Sequence, residues 1–269
     1  MEFNGQLRKL QTKHLKNTVR YTLNYDDQSL DMNSLIGNSV RLSFSGDIFC
    51  VDTGKKIKKS YNQGYSWESY ITRAQCDSCI FKPELCHYSV GTCREPEWGE
   101  EHCLKPHVVY LAYSSGVKVG ITREKNVPHR WMDQGAICAL PLFEVGDRKT
   151  SGMVEVELAK KFNDKTNWRT MLKLKNDFSD FDLEKVKKEI ISEFKELIAK
   201  NKAKILETKP YRFEYPMINE DYKLSALSFD KTPVVAGKLV GVKGQYLLLD
   251  IGVLNIRKHQ GYQVKIEKV

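Results

Sequence analysis

Residues 107–131 constrain the fold more than any other stretch, because they combine a buried strand, a tight turn and a second strand. Residues 108–113 are an uninterrupted apolar, β-branched and aromatic run, which predicts a buried strand. Residues 114–116, Ser-Ser-Gly, are typical of a hairpin connection. Residues 117–122 then alternate apolar and polar side chains, as a half-buried strand does. The stretch therefore predicts a β-hairpin.

The hairpin and the polar segment after it carry several groups that suit an anionic ligand. We expect Tyr110, Lys118, Arg123 and Arg130 to face one cleft. Gly120 lies in mid-strand, which indicates that another group, such as a ligand, approaches the backbone there. The alternative is a core hairpin followed by a solvated loop.

Composition limits the classes of protein to which the chain can belong. At 269 residues and 41% hydrophobic it can bury a sizeable core, and two or three domains are expected. A net charge of +9 favours an anionic partner, for which nucleic acid is the usual candidate, although a merely soluble basic protein remains the alternative. The first ten residues lack the apolar segment of a secretory signal, and no run reaches the roughly 20 apolar residues of a membrane span. We expect a cytoplasmic protein without a membrane partner.

The segment from residue 76 to residue 103 carries the strongest chemical signal. Seven cysteines in a reducing compartment argue for metal binding or free thiols rather than disulfides. The sequence predicts a structural zinc site, because a CxxC pair and two further thiolates complete a tetrahedron. The predicted ligands are Cys76, Cys79 and Cys86, with Cys93 or Cys103 as the fourth. An iron–sulfur cluster, reduced buried thiols, and a catalytic pair of Cys86 with His87 or His107 are the weaker alternatives.

Residues 1–70 are predicted to be β-rich and to bear a basic, aromatic surface. Alternation over residues 18–25 and 40–48 predicts strands. Four lysines precede a group of aromatic side chains, a combination that suits single-stranded nucleic acid through phosphate contacts and base stacking. These lysines are Lys55, Lys56, Lys58 and Lys59, and the aromatic residues are Tyr61, Tyr65, Trp67 and Tyr70. A solvated loop with a local aromatic cluster is the alternative.

The segment after the hairpin predicts helix, strand and helix. Pro128 indicates the first turn of a short helix that Gly135 ends. Residues 137–145 predict a strand broken by Pro141, and Ser151 is the predicted N-cap of the next helix. Residues 181–204 predict one amphipathic helix, whose apolar stripe is Val186, Ile190, Phe194, Leu197 and Ile198.

Residues 205–269 return to β structure. Residues 234–242, 245–250, 253–257 and 262–266 predict four short strands separated by glycine-marked turns. This spacing favours a small barrel of the OB or SH3 kind, in which the N-terminal strands could also take part. Arg257 and Lys258 would lie on its nucleic-acid-binding face, although structural docking is equally consistent with such a module.

The hairpin resembles the core of the GIY-YIG superfamily. Val109-Tyr110-Leu111 stands where that family carries its first tripeptide, Lys118-Val119-Gly120 where it carries the second, and Arg130-Trp131 where an arginine opens the next helix. More of the chain resembles a bacterial family that joins such a core to cysteine-rich and β-rich flanks. In that family two CxxC pairs often occupy the region around Cys50. Here Thr53, Ser66 and Ser69 replace the other three cysteines, so we expect a ribbon-like fold without metal there.

The resemblance implies a phosphodiesterase site. A tyrosine matching Tyr110 would position or deprotonate water, Arg130 would stabilise the charged transition state, and Glu155 would bind Mg²⁺ or Mn²⁺. Asn167 would match a late asparagine of the family. Arg123 and Trp131 would contact nucleic acid.

The pattern departs from the family at two positions. Lys118 replaces the second tyrosine, and Gln134 stands where a histidine is common. Glu157 competes with Glu155 for the metal-binding role, and Arg130 has Asp133 as an alternative partner.

We therefore expect an α+β fold in which a small GIY-YIG-like core is joined to a zinc segment and to flanking small β-barrel modules. The predicted domains are residues 1–70, 71–106, 107–204 and 205–269. The predicted function is nucleic-acid processing, with a divalent-metal-dependent phosphodiesterase as its concrete form. The alternatives are a non-catalytic, zinc-containing RNA- or DNA-binding adaptor and an RNA-modification enzyme.

Overall fold

The structure is a computed structural model that describes residues 2–162, 167–175, 182–218 and 222–269. The chain forms two compact units, Met1–Ile71 with Glu214–Val269, and Thr72–Phe213. Helices and several sheets are both present, so the chain is a mixed α/β protein. None of the helices in the described ranges combines the length and the apolar character needed to cross a lipid bilayer.

The strands and helices are numbered in chain order. The strands are β1 (Glu2–Gln6), β2 (Gln11–Leu15), β3 (Thr18–Tyr25), β4 (Gln28–Asp31), β5 (Ser39–Phe49), β6 (Lys56–Ile57), β7 (His107–Tyr113), β8 (Val117–Arg123), β9 (Cys138–Val145), β10 (Lys204–Ile205), β11 (Tyr211–Arg212), β12 (Ala226–Leu227), β13 (Val234–Lys243), β14 (Tyr246–Leu249), β15 (Gly252–Asn255) and β16 (Tyr262–Lys268). The helices are α1 (Trp67–Thr72), α2 (Ser78–Phe81), α3 (Pro96–His102), α4 (His129–Asp133), α5 (Arg148–Ala159), α6 (Trp168–Lys173), α7 (Leu183–Glu193) and α8 (Lys195–Lys200).

Strands from both ends of the chain share one sheet in the first unit. Its order is β1-β16-β5-β13-β14-β15-β12, with β6 paired to β5. The four C-terminal strands lie within three residues of their predicted bounds. As predicted, N-terminal strands take part, because β16 and β13 both pair with β5, and β1 pairs with β16. The sheet does not close into the predicted barrel. Among the described residues the edge strands β1 and β12 do not meet, so the sheet is open.

The remaining strands of the first unit form a small antiparallel sheet of order β2-β3-β4. Along β3 the side chains of Val19, Tyr21 and Leu23 are buried, while Thr18 and Arg20 between them are exposed. This alternation is the period-two pattern that predicted the strand.

The hairpin forms the centre of the second unit. The sheet has the order β10-β9-β7-β8, with β11 also paired to β9. The strand prediction for residues 108–113 and 117–122 is confirmed within a residue. Because β7 is covered by β8 and β9 at its two edges and packs against helices, its residues are buried almost continuously, as in a central strand.

Pro141 does not break β9 as predicted. The ladder between β7 and β9 shifts register between Val109 and Tyr110, and Pro141 lies opposite Tyr110. On its other edge β9 pairs with β10 through Phe143 and with β11 through Ala139, on either side of the proline. A proline is tolerated here because neither neighbour needs its missing N–H at that point.

Two helix predictions need correction. Helix α5 begins at Arg148 with Asp147 as its N-cap, and Ser151 lies inside it, its hydroxyl donating to the Arg148 carbonyl at 2.7 Å. The predicted single helix over residues 181–204 is two helices, α7 and α8, which meet at Phe194 because its backbone leaves the helical region. Residue 181 lies outside the described residues.

The apolar stripe of that segment is confirmed. Ile190 belongs to the buried core of the second unit, and the other members of the stripe pack against it. This core is formed by Val109, Leu111, Val119, Cys138, Leu140, Leu142, Phe143, Val154, Leu158, Leu183 and Ile190. The core holds α5 and α7 beside the hairpin, and α5 carries two of the charged residues described below.

Candidate functional site

A cavity of about 210 Å³ in the second unit brings together Tyr110, Lys118, Arg130 and Glu155, which the sequence assigned to the cleft or the phosphodiesterase site. Its polar lining comes from four elements: Tyr110 on β7, Lys118 on β8, Arg130 at the start of α4 with Gln134 just past its end, and Arg148 and Glu155 on α5. We call this cavity the cationic pocket, because three of its charged side chains are basic and one is acidic. Ile80, Phe81 and Pro83 form an apolar wall.

Tyr110 lies at the floor of the cationic pocket and is fully buried. Its ring packs edge-on against Trp131, with 5.5 Å between the ring centroids. The group that approaches Gly120 is this ring, since a β-carbon on Gly120 would lie 2.7 Å from it. Burial raises the pKa of Tyr110, and the nearby positive charge of Arg130 lowers it by less. The phenol therefore stays protonated at neutral pH.

Gln134 connects Tyr110 to Arg130. In one orientation of its amide, the oxygen accepts hydrogen bonds from Arg130 Nη2 at 2.9 Å and Nε at 3.0 Å, while the nitrogen donates to the Tyr110 hydroxyl at 3.1 Å. We assign this orientation because it satisfies both neighbours. Gln134 thus holds the guanidinium of Arg130 in position beside the phenol of Tyr110.

Arg148 is the pocket residue that the sequence analysis missed. Its Nη2 donates to the carbonyl of Ile80 at 2.7 Å. Its Nε is buried and has no hydrogen-bond partner among the described residues. Burial lowers the pKa of Arg148, and the positive charges of Arg123 and Arg130 contribute to the lowering, so each of them lies within electrostatic range of Arg148. Recognising Asp147 rather than Ser151 as the N-cap would have placed Arg148 in the first turn of α5.

Several predicted site residues lie outside the cationic pocket. Asn167 is the N-cap of α6, where its side chain accepts from Arg169 N and Thr170 N. Trp131 is fully buried against Tyr110, Tyr211 and Phe213, so its ring has no free face on which a base could stack.

Two charged residues close to the pocket are also not part of its lining. Glu157, the competitor of Glu155, forms an ion pair with Lys160 at 2.5 Å. Arg123 ends β8 beside the cysteine segment, where burial lowers its pKa and the charges of Cys103 and Glu101 raise it.

A larger cavity of about 420 Å³ has no excess of positive charge in its described lining. Two cations, Lys209 and Arg212, face two carboxylates, Asp182 and Glu184, so its charges are balanced. The Asp182 carboxylate also caps α7 by accepting from two backbone N–H groups. Asp182 therefore has a structural role at the start of α7.

Four of the five thiols in the cysteine segment interact electrostatically: those of Cys79, Cys86, Cys93 and Cys103. Burial raises the pKa of Cys79 to about 11, and the charges of Asp77, Cys86, Cys103 and Cys93 contribute in that order. All seven cysteines of the chain are free thiols. Cys76 is buried in the short turn Ala74–Cys76 just before this group.

The sulfur of Cys50, in the first unit, has several hydrogen-bond partners. Its Sγ accepts from Ser66 N at 3.2 Å and is 3.6 Å from the Ser69 hydroxyl. Burial raises the pKa of Cys50, but hydrogen bonds from Thr53, Ser69 and the Ser66 backbone outweigh it and lower the pKa to about 6. The structure thus brings Thr53, Ser66 and Ser69, the three positions at which the resemblance implied replaced cysteines, around Cys50.

The basic and aromatic residues after Cys50 share a surface of the first unit, which we call the lysine–aromatic surface. Its lysines are exposed, and Lys59 Nζ lies 5.2 Å from the centre of the Tyr61 ring. Tyr61, Trp67 and Tyr70 contact one another, with ring centroids 5.2–5.9 Å apart, and Trp67 is 55% exposed. Arg257 reaches the same region, because its Nε donates to Gln63 Oε1 at 2.6 Å, and Lys258 beside it is exposed.

The fold and the cationic pocket define a mixed α/β protein with one polar, net-positive cleft and a separate cysteine-rich segment. By sequence the chain belongs to the family described as protein of unknown function (DUF2797), whose match covers residues 37–264. No curated protein and no solved structure matches the chain.

Proposed function

We propose that the protein processes nucleic acid and that the cationic pocket binds and hydrolyses a phosphodiester. The observation that carries this proposal is the convergence of Lys118, Arg130 and Arg148 on one cavity that contains a single carboxylate, Glu155. Three positive charges against one negative charge leave a net charge of about +2 for an anionic ligand to neutralise.

The arginines suit a phosphate group in particular. A guanidinium donates two parallel hydrogen bonds, which match the geometry of two phosphate oxygens. Arg148 has a buried Nε without a partner among the described residues, and an anion in the pocket is the group that would satisfy it. Lys118 is 7% exposed, so its charge acts in a partly desolvated site. These are conditions under which positive charge stabilises a developing phosphorane most strongly.

Tyr110 acts in this proposal as a donor and a positioning group. Because its pKa is raised, the hydroxyl orients a water molecule or a phosphate oxygen and does not act as the base. Gln134 keeps Arg130 aligned with it. The resemblance of Val109-Tyr110-Leu111 and Arg130 to GIY-YIG motifs supports the same roles.

Glu155 is the residue that would hold a divalent ion. One carboxylate fits Mg²⁺ or Mn²⁺ only when the substrate supplies further oxygens, which is the common way in which Mg²⁺ is bound at phosphate sites. The ion would supply Lewis-acid charge to the phosphate. Three neighbouring cations disfavour such an ion without substrate, so we expect it to bind together with the nucleic acid.

Cleavage of labelled RNA and DNA in the presence of Mg²⁺ or Mn²⁺ tests the proposal. Glu155→Gln should lower the rate by at least about 100-fold, since it removes the one carboxylate among the described lining residues of the pocket. Glu157→Gln is the matched control, because Glu157 lies on the same helix and pairs with Lys160 instead. Equal rates for the two variants, or no cleavage by the wild type, would remove hydrolysis from the proposal.

The second candidate function is non-catalytic binding of single-stranded nucleic acid by an adaptor. The lysine–aromatic surface favours it, because exposed lysines lie beside the partly exposed ring of Trp67. Trp67→Ala should weaken oligonucleotide binding by about 10-fold through lost stacking, whereas Ile71→Ala, an exposed apolar change near the end of the same helix, should not. Lys58→Ala should reduce the slope of log affinity against log salt by about 1.

A further inference from the structure

Three sets of contacts fold the cysteine segment back on itself. His87 Nε2 lies 3.3 Å from Asp77 Oδ2, which brings Cys86 toward Cys79. Ligand atoms of Asp77, Cys79 and His87 all lie within 4.8 Å of one another. Because Cys86 directly precedes His87, these contacts place the turn that carries Cys86 beside the turn that carries Cys79.

The other two cysteines both lie near Gly99 of α3. Cys93 Sγ would lie 3.5 Å from a β-carbon on Gly99, and Cys103 N donates to the Gly99 carbonyl at 2.7 Å. Arg148 forms hydrogen bonds with both parts of the cysteine segment. Its backbone N donates to the Cys103 carbonyl at 2.8 Å, and its Nη2 donates to the carbonyl of Ile80, the residue after Cys79.

We propose that Cys79, Cys86, Cys93 and Cys103 bind one zinc ion, and that this site holds residues 80–83 in place as the wall of the cationic pocket. Four thiolates complete the tetrahedron that zinc prefers in structural sites. The proposal does not depend on the proposed function, because the metal is structural. Compared with the set predicted from sequence, it leaves out Cys76.

Asp77 and His87 are the competing ligands. The Asp77 carboxylate accepts from Arg94 Nε at 3.0 Å, and His87 Nδ1 lies 2.8 Å from the Thr92 hydroxyl. Both side chains thus belong to a hydrogen-bonded network around the thiols, of the kind that orients metal ligands. Thiolate is also a better zinc ligand than carboxylate, which favours the four cysteines.

The segment between Cys79 and Cys86 packs closely on α5. A β-carbon on Gly152 would lie 2.6 Å from Pro83 Cβ and 2.7 Å from Glu84 N, so the loop lies directly against the helix that carries Arg148 and Glu155. Phe81 and Leu85 are largely exposed, so apolar burial contributes little to holding this loop. Metal binding would supply the missing free energy of folding.

Metal analysis of the purified full chain tests the assignment. The wild type should contain about one zinc per chain. Cys86→Ser and Cys93→Ser should each lose most of it, whereas Cys76→Ser, the matched control from the same segment, should keep it. Zinc that is lost in Asp77→Asn or His87→Gln but kept in Cys93→Ser would overturn the ligand set. Iron with absorption near about 400 nm would overturn the metal identity.

A second measurement avoids variants that fail to fold. Cys79, Cys86 and Cys93 are only half-buried, so metal-free thiols should react with an alkylating reagent in the native protein. We expect all three to be protected in the wild type and to be labelled after a strong chelator removes zinc, as mapped by mass spectrometry. Rapid labelling of these three thiols while zinc remains bound would overturn the proposal.

Discussion

The ring of Tyr110 lies directly across the ladder from Gly120, and a β-carbon on Gly120 would be 2.7 Å from the ring. The two residues depend on each other, because the glycine leaves the space that the tyrosine ring occupies in the lining of the cationic pocket. The small residue at the third position of the Lys118-Val119-Gly120 tripeptide is therefore explained by packing.

Gly120→Ala should destabilise the protein by about 1–3 kcal/mol, because the added methyl group displaces a fully buried ring. Chemical denaturation measures this change in the free energy of unfolding. Gly146→Ala is the control, since no atom lies within 4 Å of its β-carbon position, and it should change stability by less than about 0.5 kcal/mol. A tolerated Gly120→Ala would mean that the tyrosine ring can move.

Arg148→Met should weaken binding of a short oligonucleotide by at least about 10-fold, because hydrogen bonds to a charged group contribute roughly 1.5–3 kcal/mol. Fluorescence anisotropy at fixed salt measures the affinity. Lys149→Met removes the same charge from the next residue, which does not line the pocket. Equal losses in both variants would show that net charge, and not the pocket, determines binding.

Asp147→Ala should cost about 1 kcal/mol of stability, because Asp147 Oδ1 accepts from Thr150 N at 2.8 Å at the start of α5. Ser151→Ala should cost less, since Ser151 lies inside the helix, where alanine is favourable. Thermal or urea unfolding of the two variants compares them. The reverse order would restore Ser151 as the cap that the sequence predicted.

Because of Lys243, the free energy of unfolding should change with pH in the neutral to alkaline range. It is fully buried, and burial lowers its pKa from 10.5 to about 7. Between these values the unfolded chain binds one more proton than the folded chain, so the free energy of unfolding should rise with pH, by up to about 4 kcal/mol between pH 7 and pH 10.

Comparison with Lys243→Met isolates this contribution from other titrating groups. The variant should lack the rise, whereas Lys268→Met, an exposed control, should keep it. Urea unfolding at several pH values gives the curves. Parallel curves for the wild type and Lys243→Met would show that the lysine is not held neutral.

Local patterns determined much of this chain by themselves. The hairpin, the C-terminal strands and the apolar stripe through Ile190 follow from side-chain periodicity, because strands and helices place every second or every third to fourth residue on one face. A motif resemblance predicted that Tyr110, Lys118, Arg130 and Glu155 would lie at one cavity. It could do so because a motif specifies how far apart such residues stand along the chain.

Only the tertiary structure decided which distant residues meet. The pairing of β5 with β13 and β16 joins strands roughly two hundred residues apart, and no local pattern specifies such a pairing. In the same way, the burial of Trp131, the approach of Arg148 to Ile80 and the tolerance of Pro141 depend on neighbours supplied by other elements. Periodicity fixes which face of an element is apolar, but long-range packing fixes what that face contacts, and so it also fixes the chemistry of the site.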